Sequence, residues 1–347
     1  MNIQSKKEEV FFYKANTRKK LFIIFSGICI CIVSFLMEVM IGASGMTIPE
    51  IFKALFQPTS VDKISRVIIW QMRLPVAVMG IVVGASLGLS GAVMQTILNN
   101  PLASPYTLGL SAGAGFGASI ALTIGLGALT ILGNFLVPMF AFVFSLIACL
   151  GIYTISKKKR FTSGIMVLAG IGMVFFFEAG QSFLQYLASP EELSNIVFWT
   201  FGSLAKAKWS NVAIITVVFL FAFVFVFTKS WKMTAMSIGD ERAKSMGINV
   251  ERLRMGMFIV ISLLTATAVA FVGSIGFVGI VGPHIARILL GEDQRFFIPM
   301  SALGGAAILS IASVISKIVV PGAVFPIGIL TSLIGVPVFF ALILRKR

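Results

Sequence analysis

The chain has 347 residues, 58% hydrophobic and only 12% charged, with a formal net charge of +15 and a mean hydropathy of +1.00. Soluble globular chains carry about 25% charged residues, so this one cannot cover a water-facing surface of its own size. The composition excludes a soluble enzyme, a disulfide-built secreted domain and a disordered chain, and defines a polytopic membrane protein.

The basic residues gather at the ends of apolar stretches. They include Lys6, Lys7, Lys14, Arg18, Lys19 and Lys20, the run Lys157–Arg160, a group from Lys229 to Arg254, Arg287, Arg295 and the tail Arg345–Arg347. Positive charge biased to one side reports cytoplasmic orientation, so the high pI points to membrane topology and to no nucleic-acid partner.

A spanning helix needs about 20 apolar residues. In chain order the sequence predicts helices near 20–42, 66–98, 107–125, 133–157, 163–187, 209–228, 253–275, 277–291, 298–318 and 326–345. Residues 1–19 form a cytoplasmic basic segment, and 20–347 form one transmembrane domain of about ten helices, all-α throughout. An even number of crossings puts both termini inside. The eighth helix is short and broken, as in a re-entrant or internally packed segment. Thr47-Ile48-Pro49-Glu50 and Ser189-Pro190-Glu191-Glu192 fit capping boxes and predict short helices on the outer face. Gly80, Gly84 and Gly88, then Gly109, Gly113 and Gly117, recur every four residues, the spacing of close helix contact. Gly273, Gly276, Gly279 and Gly282 mark a break between the seventh and eighth helices. Cys29, Cys31 and Cys149 lie in apolar runs and read as small hydrophobes.

Reactive chemistry is scarce. No G-x-x-x-x-G-K-[ST] phosphate loop occurs. The single histidine, His284, has no ligand-spaced partner and reads as bonding backbone at a helix start set by Pro283. The expectation is no catalytic residue, no metal and no cofactor in this chain. Glu178, with Gln181 and Gln185 at i+3 and i+7, forms a polar stripe inside a span. Acidic side chains at that depth cost roughly 2.5–3.5 kcal/mol on insertion scales. The stripe faces either a water-filled pathway, a subunit contact or a buried hydrogen bond to a neighbouring helix. Gln95, Asn99 and Asn100 read as terminating the second span before Pro101. Between Ser237 and Ile248, Ile238, Ala243 and Met246 sit among charges bracketed by Gly239 and Gly247, the pattern of a short docking helix for a soluble partner.

With these residues in place, the chain resembles the permease subunits of ABC importers for iron–siderophore complexes, haem and vitamin B12. The resemblance rests on Met72-Arg73-Leu74-Pro75, Ser90–Gln95, Asn100–Pro105, Leu168–Ile171, Gly202-Ser203-Leu204, Gly276–Arg287 and Pro326–Pro337, all in order. It implies a homodimer, or a pair with a close permease relative, in a bacterial cytoplasmic membrane. It also implies two ATPase subunits carrying ATP and Mg, and an extracytoplasmic substrate-binding protein. By resemblance, Gly239, Asp240, Glu241, Arg242, Ala243, Met246 and Gly247, within 235–250, couple to the ATPase. Arg73 and Lys317 fall where the family meets its binding protein, although Val76 stands where the family carries a second Arg. Glu178, Gln181 and Gln185 fall on the translocation pathway. Thr162 and Ser163 fall at the cytoplasmic gate, where an ordinary N-cap reads equally well. Ferric siderophores are the first expectation for cargo, with haem and cobalamin as alternatives. An ion-coupled secondary transporter is the weaker rival, since Glu178 has no evident intramembrane partner.

Overall fold

The structure is a computed structural model and describes residues 3–42, 44–125, 133–159, 161–319 and 325–345. Arg160 and the tail residues Lys346 and Arg347, counted among the basic clusters, lie outside the described residues. Every regular element among the described residues is helical. The order is α1 (Ile3–Met40), α2 (Ile48–Phe56), α3 (Lys63–Val67), a π-helical turn (Ile68–Arg73), α4 (Leu74–Ile97), α5 (Leu110–Thr123), α6 (Gly133–Lys158) and α7 (Ser163–Leu187). It continues through α8 (Pro190–Thr200), α9 (Trp209–Phe227), α10 (Ser230–Met236), α11 (Asp240–Ser245), α12 (Val250–Val272), α13 (Val278–Leu290), α14 (Gln294–Val319) and α15 (Ile327–Arg345).

Among the described residues, seven helical stretches are long and apolar enough to cross a membrane, and three shorter apolar helices, in α5, α13 and α15, occupy the remaining predicted positions. The 13-residue α13 is about 20 Å long, short of the roughly 30 Å hydrocarbon core.

Boundaries differ from expectation where capping chemistry intervenes. The first helix begins at Ile3, so the basic segment continues the span as helix. The third starts at Leu110 because Gly109 takes a left-handed conformation (φ 83°) at its N-cap. Asn249 opens α12 by accepting the Arg252 amide at 2.9 Å. The outer helices form as expected: Glu50 accepts the Thr47 amide at 2.8 Å, and Glu192 accepts that of Ser189 at 2.8 Å. Both carboxyls are thereby held below the usual range. Asn99 (φ 48°) ends α4, with the Asn100 amide returning to the Gln95 carbonyl at 3.0 Å and that of Asn99 to Thr96 at 3.2 Å. That is a Schellman closure. His284 differs: α13 starts at Val278, so Pro283 and His284 lie inside the helix and not at its start.

Helix α4 is the spine. Its span is 83% buried, against 22% for α7 and for α9, as expected of a helix apolar on all sides. The first glycine stripe lets it touch α14 backbone to backbone. A Cβ on Gly84 would stand 2.8 Å from the Ala306 Cα and against the Gly305 carbonyl, and one on Gly88 would meet the Ser301 carbonyl. Gly91 meets Gly279 of α13 in the same way, and Gly113 and Gly117 press on Phe144 and Phe140 of α6. We predict that Gly84→Ala lowers stability by about 1–3 kcal/mol, read as an earlier thermal transition in detergent. Gly164→Ala, whose Cβ meets nothing within 4 Å, leaves it unchanged or slightly later.

Candidate functional site

The docking segment is built on two glycines. Gly239 (φ 115°) is the N-cap of α11, and Gly247 (φ 78°) follows its end, conformations that L side chains rarely adopt. Closure is again Schellman: the Ile248 amide donates to the Ala243 carbonyl at 3.1 Å and the Gly247 amide to Lys244 at 2.9 Å. Ala243 is fully buried and packs in the main core with Ile248 against it. It therefore seats α11 on the bundle, its side chain turned away from the surface. The surface left outside comprises Ile238, Glu241, Arg242, Lys244 and Met246, with Met246 61% exposed.

The seat is locked by a residue that sequence reasoning counted only as an orientation charge. Arg254, on α12, is 2% exposed. Its Nε donates to the Ile97 carbonyl at the end of α4 at 2.6 Å, and its Nη1 to the Phe161 carbonyl before α7 at 2.8 Å. Nη2 donates to both Asp240 carboxylate oxygens at 2.7 and 2.9 Å. One planar guanidinium thus ties together α4, the α7 turn and the first residue of α11, the fork geometry that Lys cannot supply. A signal existed in the sequence: Val250, Arg254, Met257, Phe258 and Ile261 share the buried face of α12 at helical spacing, a cation on an apolar stripe.

The gate residues sit beside this lock. Phe161 holds a left-handed conformation (φ 47°), and Thr162 is the N-cap of α7 with no capping bond from its side chain. The turn is fixed through the Arg254–Phe161 bond and not by hydroxyl capping.

Arg73 and Lys317 are not presented to an outside partner. Arg73 is 6% exposed; its Nη1 donates to the Val39 and Met40 carbonyls at 2.8 and 3.0 Å, and its Nη2 to Ser44 Oγ at 2.5 Å. Lys317 pairs with the buried Glu38 carboxylate at 2.7 Å and donates to the Glu38 carbonyl at 3.1 Å. Both cations serve the last turn of α1, whose terminal carbonyls lack helical donors and carry the negative end of the helix dipole. Both charges are thus engaged within the subunit.

The polar stripe on α7 separates. Glu178 is exposed on the lone subunit and Gln185 half-buried, while the Gln181 carboxamide lies against Gly115 of α5. Glu178 is close enough to Tyr106 for its charge to act on that phenol. Tyr106 in turn lines a cleft of about 500 Å³ with Ser274, Ser332 and Val336. Among the described residues no group of His, Cys, Asp and Glu could hold a metal ion.

The fold is a bundle of helices long and apolar enough to cross a membrane, with the short helix α11 seated against it. The chain belongs to the FecCD transport family, whose pattern matches residues 30–345. A protein of Methanocaldococcus jannaschii assigned only as an ABC transporter permease is 40% identical over 343 residues, covering 96% of this chain and 97% of its own length. The hemin transport system permease of Yersinia pestis is 35% identical over 80% of this chain and 84% of its own. Other relatives are named for import of iron(3+)-hydroxamate, cobalamin, Fe(3+)-citrate and molybdate. A transporter described as metal-chelate type, solved in an inward-facing conformation, superposes with a TM-score of 0.82 at 29% identity, covering 93% of this chain and 99% of its own.

We predict that Arg254→Met costs about 3 kcal/mol, because it leaves two buried carbonyls and a carboxylate without their donor. Asp240→Asn costs less, about 1–2 kcal/mol, because Asn keeps one acceptor and the site is 37% exposed on the Asp240 side, although the buried guanidinium loses its counter-charge. Chemical unfolding of the two purified variants, side by side, checks the order.

Proposed function

We propose that this chain is the permease subunit of an ATP-driven importer for ferric siderophores, working as a homodimer by alternating access, with both termini cytoplasmic. The observation that carries the reading is the seat of α11: a glycine-bracketed helix with exposed Met246 and Ile238, joined through Arg254 to the ends of α4 and α7. A soluble ATPase gripping that helix would move the α7 turn directly, which is what coupling needs. ATP and Mg belong to that partner, and this chain forms no covalent intermediate.

The pathway in this reading runs past Glu178, Gln181 and Gln185 on α7 and the facing residues of α15, with Thr162 and Ser163 at its inner gate. The open face of α7 supports pairing with a second copy: Leu168, Phe175, Phe176, Phe183 and Tyr186 are all exposed around Glu178. An unpaired carboxylate in that setting would otherwise meet lipid. The binding protein would meet the opposite end, where Lys53, Lys63, Arg66, Lys206 and Lys208 are exposed, while Arg73 and Lys317 are engaged within the subunit. Rim charges of that kind set association rate and salt dependence. Siderophore ranks ahead of haem and cobalamin because iron chelates recur among the names of the relatives.

The test is uptake of iron-55 ferric siderophore in cells expressing this chain with its genomic ATPase and binding-protein neighbours. Uptake is expected, and is abolished when the ATPase phosphate loop is disabled. Uptake of haem or cobalamin in place of the siderophore would correct the cargo, and uptake that survives the disabled ATPase would overturn ATP coupling. Separately, Arg242→Glu with Met246→Asp, both on the exposed face of α11, is expected to cut ATPase co-purification at least about tenfold, two buried contacts of roughly 1 kcal/mol each being lost. Insertion and monodispersity stay unchanged. Undiminished co-purification would remove α11 from the interface.

A further inference from the structure

A cleft of about 630 Å³ opens beside α11, between the end of α9, α10 and the first turns of α12. Its wall divides by chemistry. Phe225 and Leu253, both half-buried, line its apolar part, and both belong to helices long and apolar enough to cross a membrane. Lys229, Lys232 and Arg252 line the rim together with Trp231, whose ring is 73% exposed.

No carboxylate lines the cleft. Among the described residues none of the three rim cations has an acidic group within ion-pair distance. The adjacent Glu251 acts on Lys244 instead. Three like charges around one opening repel one another unless an anion sits between them, and the ordinary role of an exposed Trp next to such cations is at a membrane–water boundary.

We propose that this cleft binds an anionic phospholipid of the adjacent leaflet. The phosphate lies among the two ammonium groups and the Arg252 guanidinium, which offers paired N–H donors to phosphate oxygens. An acyl chain follows Phe225 and Leu253. A lipid fits better than a soluble protein because the lining combines three cations and an exposed Trp with apolar side chains from the ends of two helices of membrane-spanning length, which matches an anionic headgroup joined to an acyl chain. Basic clusters at this position are the general recognition element for acidic lipids. The site bears on function because Met246 and Gly247 also line the cleft, so an occupying headgroup braces the closing turn of α11.

The test uses the full-length permease in detergent, titrated with phosphatidylglycerol and, separately, with phosphatidylcholine of the same acyl chains, bound lipid being counted by native mass spectrometry. Wild type is expected to bind phosphatidylglycerol about tenfold more tightly. Lys229→Gln, Lys232→Gln and Arg252→Gln together are expected to erase that preference, each cation being worth roughly a fewfold in affinity. Lys157→Gln, Lys158→Gln and Lys159→Gln together remove the same charge elsewhere and are expected to keep it. If the first triple variant is not monodisperse, Arg252→Gln alone is expected to reduce the preference about threefold. A retained preference in the rim variants, or equal loss in both triples, overturns the proposal. So does loss of ATPase co-purification with lipid preference intact, which would make the cleft a protein-docking surface.

Discussion

The guanidinium of Arg254 is the constraint on which the functional end of this subunit depends. Burying a cation costs several kcal/mol unless its donors are all matched, and here they are matched by groups from three separate parts of the chain. Two acceptors are main-chain carbonyls, at Ile97 and Phe161, that the ends of α4 and the turn before α7 would otherwise leave unpaired. The third is the carboxylate of Asp240, the first residue of α11. Satisfying one side chain therefore fixes the relative positions of α11, α4 and the entry to α7.

The opposite end of α4 is handled with the same chemistry. Arg73 precedes its first residue and donates into the last carbonyls of α1, and Lys317 reaches the same turn from α14. Glu38 completes the arrangement by neutralising Lys317 and accepting from Ser313 at 2.8 Å. One anchor thus holds α1 to the spine, while the other holds α11 and the turn before α7 to it. Between them α4 is buried against α14, α13, α12 and α9, so both anchors act on a single rigid element.

Much of this was legible in the sequence, because apolar length, Gly and Pro punctuation and capping boxes are local signals. The positions of all the apolar helices, the short helices at Ile48, Pro190 and Asp240 and the glycine contacts follow from residues near one another in the chain. What escaped depends on distant partners. Arg73 and Lys317 were placed by resemblance alone, and their acceptors lie 34 and 279 residues away, beyond the reach of any local pattern. Arg254 was absorbed into a count of orientation charges, although its register on α12 placed it inside. Ala243 matched a motif position, but its small size serves seating and not contact.

The glycine seam also carries a mechanical meaning. Where Gly84 and Gly88 meet Gly305 and Ser301, main chain rests on main chain with no side-chain layer between, and such a contact has nothing compressible in it. Helices that interlock through side chains can slip by exchanging rotamers; these two can only separate or stay. The α4–α14 pair therefore behaves as a fixed post. Helices such as α7 and α9, only 22% buried along their most apolar stretch, lack such a contact and are the part of the subunit that can shift against the post.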